Sequence, residues 1–204
     1  MTPSRLGSLA GAAVVAVGVA YVIVLALGFA RHGLSEPIVD PILAVMELLT
    51  LASVLPLVLL GIAVLLVAPD SRRVWGMLAV CFIVMFAAAT SGVHVVELTA
   101  GRQLGSAGLV WPSATYAIEL LAWDLFLGLA LVFMASALDP RVATKRLRRT
   151  IRLTGALCIA GLIGPAVGNM RLQLIGVLGY AVLLPVAAFG LARWFHHSSR
   201  TSVP

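Results

Sequence analysis

The chain has 204 residues, 61% hydrophobic and 11% charged, with a mean hydropathy of +1.09, a net charge of +6 and a pI near 10.4. A water-soluble domain carries about a quarter charged residues, so water is excluded as the main solvent and no soluble domain is expected beside a membrane one. The basic excess would suggest nucleic acid in a soluble protein, but it sits in short connections without interleaved aromatics, and no nucleic-acid partner is expected.

A spanning helix needs about 20 successive apolar residues, and the sequence offers six such stretches. The first runs from about Leu6 to Ala30. Arg5 and Gly28-Phe29-Ala30 mimic the flanks of a signal peptide. A signal core is only about 7 to 15 residues long, so the segment reads as an uncleaved anchor. Arg31-His32-Gly33 through Pro37 breaks the chain before the second span, from about Pro41 to Val67. Pro69-Asp70-Ser71-Arg72-Arg73 precedes the third, from about Val74 to Leu98. Each break combines charge with a helix breaker. A longer connection, Thr99 to about Thr115, leads through Trp111-Pro112-Ser113 to the fourth span at Tyr116 to Leu138. There Trp111 suits the headgroup level and Ser113 a helix cap. The fifth, Ile151 to Gly168, is the shortest, and a tight turn at Asn169-Met170-Arg171 leads to the sixth, Leu172 to Phe195. Residues 1–204 thus read as one all-helical transmembrane domain, a bundle of six spans.

Basic residues near span ends are retained on the cytoplasmic side. Arg5, Arg72, Arg73, Arg141, Lys145, Arg146, Arg148, Arg149, Arg152, Arg193 and Arg200 fall on one face, leaving Arg31, Arg102 and Arg171 on the other. Both termini are therefore expected inside a cell membrane, the plasma or inner membrane. The basic loop 141–152 is expected to meet anionic lipid, at about 1 kcal/mol per basic residue near the surface. Composition says nothing of the oligomeric state.

Ionisable residues inside spans are costly, about 2.5 to 3.5 kcal/mol each on insertion scales, so those retained mark the candidate site. They are Glu47 in the second span, His94 and Glu97 in the third, and Glu119 and Asp124 in the fourth. At about 1.5 Å per residue, Glu47, His94 and Glu119 lie in one layer roughly 9 to 11 Å below the outer surface. Thr90, His94 and Glu97 share one helical stripe, giving the third span a polar face. Glu119 and Trp123 share a face, whereas Asp124 is turned about 140° away, towards the side of Gly128. Glu47-Leu48-Leu49 and Glu119-Leu120-Leu121 match in depth and sequence, the mark a two-span duplication would leave.

Three readings of this layer are open: polar side chains that join helices, an outward-facing pocket that binds or carries a small molecule, ion or lipid, and an embedded enzyme. Imidazole with two carboxylates also suits a divalent metal such as zinc, manganese or iron, with Glu47, His94 and Glu119 as ligands. Haem is not expected, for no second His occupies a span; nor is retinal, for the only Lys is Lys145 in a loop. Nucleotide is not expected either, since no phosphate-binding loop is present. Cys81 and Cys158 stand singly and read as small core side chains.

Overall fold

The computed structural model describes residues 1–33, 38–105 and 111–200. Residues 34–37 of the breaker segment, and 106–110 of the connection after Thr99, fall outside the described residues. The described residues are mostly helical, joined by short turns, and contain no strand. Five helices are long and apolar enough to cross a membrane: α1 (Pro3–His32), α2 (Ile42–Val67), α3 (Asp70–Gly101), α4 (Ala114–Ala137) and α6 (Met170–His197). Between α4 and α6 lies α5 (Lys145–Gly161), of 17 residues.

Their ends follow from local chemistry. Thr2 caps α1, accepting from the Arg5 amide at 3.3 Å, and Pro3 occupies the first turn, where its missing N–H costs nothing. Gly33, at φ 83°, ends that helix in a conformation that favours glycine. Ser113 caps α4 by accepting from the Tyr116 amide at 3.2 Å. Thr144 accepts from the Leu147 amide at 3.2 Å, which starts α5 within the basic segment, well before the apolar run that begins at Ile151. Pro165 has no N–H to offer the Gly161 carbonyl one turn back, and α5 stops at Gly161. A single helical turn, Ile163–Ala166, and Gly168 at φ 70° then reverse the chain into α6. The fifth apolar segment is therefore a short helix with a basic first half and a broken end, where the apolar run alone suggested a continuous span from Ile151 to Gly168.

Each helix packs on the next, and α6 returns to α1, so the six form a closed ring. Gly7 near the start of α1 lies against the Phe195 ring in α6, which puts the two ends of the chain at the same end of the bundle. That end is filled by apolar side chains: Leu57, Leu60 and Val64 from α2, Ile83 and Phe86 from α3, Leu127 and Met134 from α4, and Leu191 and Phe195 from α6 are all buried. Arg72 ties it further, donating from Nη1 to the Ser136 carbonyl at 2.7 Å. Trp75 and Phe82 both stack on Phe133, at 5.8 and 5.7 Å between centroids. Outside, Leu9, Ile23, Leu27, Leu55, Leu66, Val84 and Phe189 present an exposed apolar belt. A surface of this kind suits hydrocarbon rather than water.

The tightest crossing is α4 on α5. A β-carbon on Gly155 would lie 2.5 Å from the Gly128 carbonyl oxygen, so the backbones meet because neither residue has a side chain. Gly155→Ala is expected to lower stability by about 1–3 kcal/mol, the usual cost of overpacking. Gly92→Ala, where a β-carbon meets nothing within 4 Å, is expected to leave stability unchanged. Thermal unfolding in detergent reads both, and a Gly155→Ala protein as stable as the wild type would contradict the close crossing.

Candidate functional site

The half of the bundle remote from the chain ends has a different interior. Glu47, Thr50, Ser53, Thr90, His94, Glu97, Asp124 and Gln173 are buried there. Of the five ionisable residues singled out in the sequence, three engage through their side chains in two contacts, Glu97 joins one of these by its backbone carbonyl, and Asp124 stands apart.

The first contact joins α3 to α4. Nε2 of His94 lies 3.0 Å from Oε1 of Glu119, with side-chain exposures of 4% and 15%. Nε2 is engaged by Glu119, which leaves Nδ1 buried without a partner, and Oε2 of Glu119 is likewise buried and unpartnered. Thr90, one turn back from His94, is fully buried and its hydroxyl oxygen also lacks a partner.

The second contact is an arginine clamp. Arg102, just past the end of α3, donates from Nη1 to Oε2 of Glu47 at 2.8 Å and to the Glu97 carbonyl at 2.8 Å. From Nε and Nη2 it donates to both oxygens of Asp40, each at 2.8 Å, in a two-point pairing that matches guanidinium to carboxylate. Asp40 also accepts from the Ala44 amide at 3.1 Å and so caps α2. The Glu97 side chain lies within electrostatic range of Glu47, His94 and Arg102. Hydrogen bonding to Arg102 holds the Asp40 carboxyl below the usual carboxylate range, and Asp40 with Glu47 raises the Arg102 guanidinium above its ordinary value.

The structure thus brings His94 and Glu119 together and gives Glu47 to Arg102 instead. The two Glu-Leu-Leu segments, alike in sequence, serve different partners. Among the described residues no group of three or more His, Cys, Asp or Glu side chains is placed to hold a metal ion. Of the expected set, His94 and Glu119 are in contact, while Oε2 of Glu47 is held by Arg102 and its Oε1 is buried without a partner.

Asp124 faces the other way. It lies in a π-helical turn of α4, Leu121–Phe126, against the α-carbons of Gly161 and Gly176, where a β-carbon would come within 3.0 and 2.5 Å of its oxygens. Neither oxygen meets a donor in good hydrogen-bond geometry, and the neighbouring Gln173 amide donates to Tyr180 Oη at 3.1 Å.

Beside the His94–Glu119 contact is a cavity of about 180 Å³. Its walls come from five helices: Val14, Gly18 and Tyr21 of α1; Thr50, Ser53 and Leu57 of α2; His94 of α3; Tyr116, Glu119 and Trp123 of α4; and Tyr180, Leu184 and Pro185 of α6. Tyr180 occupies a second π-helical turn, Leu178–Leu183, and Glu97 opens a third, Glu97–Gly101. Such turns are rare and recur at functional sites, because an extra residue per turn re-aims the side chains that follow. Tyr21, Tyr116, Tyr180, Arg102 and Asp40 were absent from the sequence-based candidates. The spacing Tyr116, Glu119, Trp123, at i, i+3 and i+7, is a signal that would have found one aromatic wall.

No protein-family model, curated protein or solved structure matches this chain. The fold and site define it as an all-helical protein with membrane-spanning character and an internal cavity of mixed polarity.

Removing Arg102 leaves Glu47 buried and unpaired, and breaking such a pair costs about 3–5 kcal/mol. Arg102→Met is therefore expected to unfold at a markedly lower temperature, and Glu47→Leu added to it to recover most of the loss. Because the Asp40 carboxyl is held low, its stabilisation is complete above the ordinary carboxylate pKa and declines as pH falls through and below it. The gap between wild type and Arg102→Met should narrow in acid, modestly, since Asp40 is half exposed. A gap that widens would contradict the clamp.

Proposed function

We propose that this is a multi-pass protein of the cell membrane that binds, and by that route transports or senses, a small molecule in the cavity between α1, α2, α3, α4 and α6. The observation that carries the reading is a cavity of about 180 Å³ with a buried His94–Glu119 contact at one end and mostly apolar walls elsewhere. Ligand sites are largely apolar cavities with a few convergent polar groups. Intramembrane ionisable residues are functional candidates by default, because their cost is otherwise unrecovered. Glu47, Glu97 and Asp124 belong to the surrounding polar layer in this reading. The packed apolar half at the chain ends supports a pocket rather than an open channel.

In the same proposal the chain crosses six times with both ends in the cytoplasm. Support comes from the closed antiparallel ring, from both chain ends lying at one end of the bundle, and from the excess of Lys and Arg at that end. α5 crosses as a short span. Its 17 residues rise about 26 Å, and the long side chains of Lys145, Arg146, Arg148, Arg149 and Arg152 reach the cytoplasmic headgroups, where anionic lipid is their partner.

Two measurements test this. A reporter fused after Pro204 should be active only as a cytoplasmic fusion, and external activity would overturn the topology. Ala181, a cavity wall, replaced by Phe should fill the space. In a thermal-shift screen of small organic molecules against the protein in nanodiscs, compounds that stabilise the wild type should lose their effect on Ala181→Phe. Compounds acting equally on both would place binding elsewhere.

A further inference from the structure

Resting on the pocket reading above, we infer that the cavity's ligand is a small organic cation, a quaternary ammonium or protonated amine, held by the Glu119 carboxylate within aromatic walls. The wall has one carboxylate, Glu119, and one imidazole, His94, and no Lys or Arg lines it among the described residues. An anion would enter without a counter-charge and opposite a carboxylate. Oε1 of Glu119 is engaged by His94, while Oε2 is buried with no partner. A neutral ligand lacking a donor would leave that oxygen desolvated and unsatisfied, which is costly.

The hydroxyls agree. Thr50 donates to the Met46 carbonyl at 3.0 Å and Ser53 to the Thr50 carbonyl at 2.6 Å. Their protons are committed to their own helix, and what they turn to the cavity is lone pairs. Thr50 and Ser53 thus offer acceptors to the space, beside one buried donor without a partner, Trp123 Nε1, which a bare cation leaves to water or to a hydroxyl on the ligand.

Aromatic faces complete it. Tyr21, Tyr116, Trp123 and Tyr180 line the same space from three helices. Trp123 and Tyr180 touch, 5.2 Å apart between centroids and tilted 55° to each other, so that they do not stack face to face. Phe86, which is not part of the wall, packs on Trp123 in an edge contact at 4.8 Å and 86°. Aromatic rings set at angles around one volume bind alkylammonium groups through their negative faces, most strongly where water is excluded.

The test uses the full-length protein in nanodiscs and three probes of one branched shape: choline, its uncharged carbon isostere and the corresponding carboxylate. Calorimetric titration should show choline binding at least about tenfold more tightly than the isostere, the difference expected of charge on an aromatic and carboxylate wall. The carboxylate probe should bind more weakly still. Glu119→Gln should bring choline down to the level of the isostere. Trp123→Leu should weaken choline by about tenfold and Trp123→Phe by less, so that the aromatic contribution is read even if the Glu119 variant does not fold. Isostere or carboxylate binding as tightly as choline would overturn the cation while leaving the pocket. Choline failing to bind the wild type at millimolar concentration would overturn the cation too, and the Ala181→Phe comparison then judges the pocket separately.

Discussion

The arrangement of the bundle depends on the cost of leaving a charge in hydrocarbon. Glu47, His94 and Glu119 lie on three different helices at similar depth, and each would be expensive to face lipid. The cost is met by pairing: His94 with Glu119 across α3 and α4, and Glu47 with Arg102, which reaches back from the end of α3 over the start of α2. These contacts fix how α2, α3 and α4 are rotated about their own axes. Once those rotations are set, Tyr116 and Trp123 follow Glu119 to the interior, and the cavity wall is formed as a consequence.

The rest of the bundle is organised around small residues and plain packing. Gly128 and Gly155 let α4 and α5 touch backbone to backbone, and Gly161 with Gly176 make room for Asp124 between α4, α5 and α6. In a lipid solvent there is little hydrophobic force between helices, so close approach and interhelical polar contacts hold them. The end with the chain termini has packed apolar side chains and no cavity function in this account. The opposite half houses the polar groups, and the three π-helical turns fall in that half or at its border, beside the cavity, the Arg102 clamp and the glycine-lined niche of Asp124.

Much of the architecture was legible in the sequence because hydrocarbon imposes simple rules. Long apolar runs separated by Pro, Gly and charge give helices with the expected order, and Ser113 caps α4 where the Trp-Pro-Ser segment suggests. The fifth segment differs in extent, because hydropathy sees Ile151 onwards and not the Thr144 cap that extends the helix back through four basic residues, nor the missing Pro165 N–H that ends it at Gly161. At the site, depth and helical stripe pointed to His94 and Glu119, but depth alone assigned Glu47 to the same contact. Its partner was hidden because Arg102 lies in a connection, where a basic residue reads as a topology signal, and because pairing over 55 positions of sequence leaves no local mark. Tyr21 and Tyr180, separated by most of the chain, meet only through the closure of α6 on α1.

The central claim is that His94 and Glu119 act as one interhelical unit at the polar end of the cavity. A double-mutant cycle of His94→Leu and Glu119→Gln, read by thermal unfolding of the protein in nanodiscs, tests it most directly. A coupling of about 1 kcal/mol or more is expected, with the double variant clearly more stable than the sum of the two losses implies. Strictly additive losses would show that the two side chains do not meet, and the site built on their contact would fall.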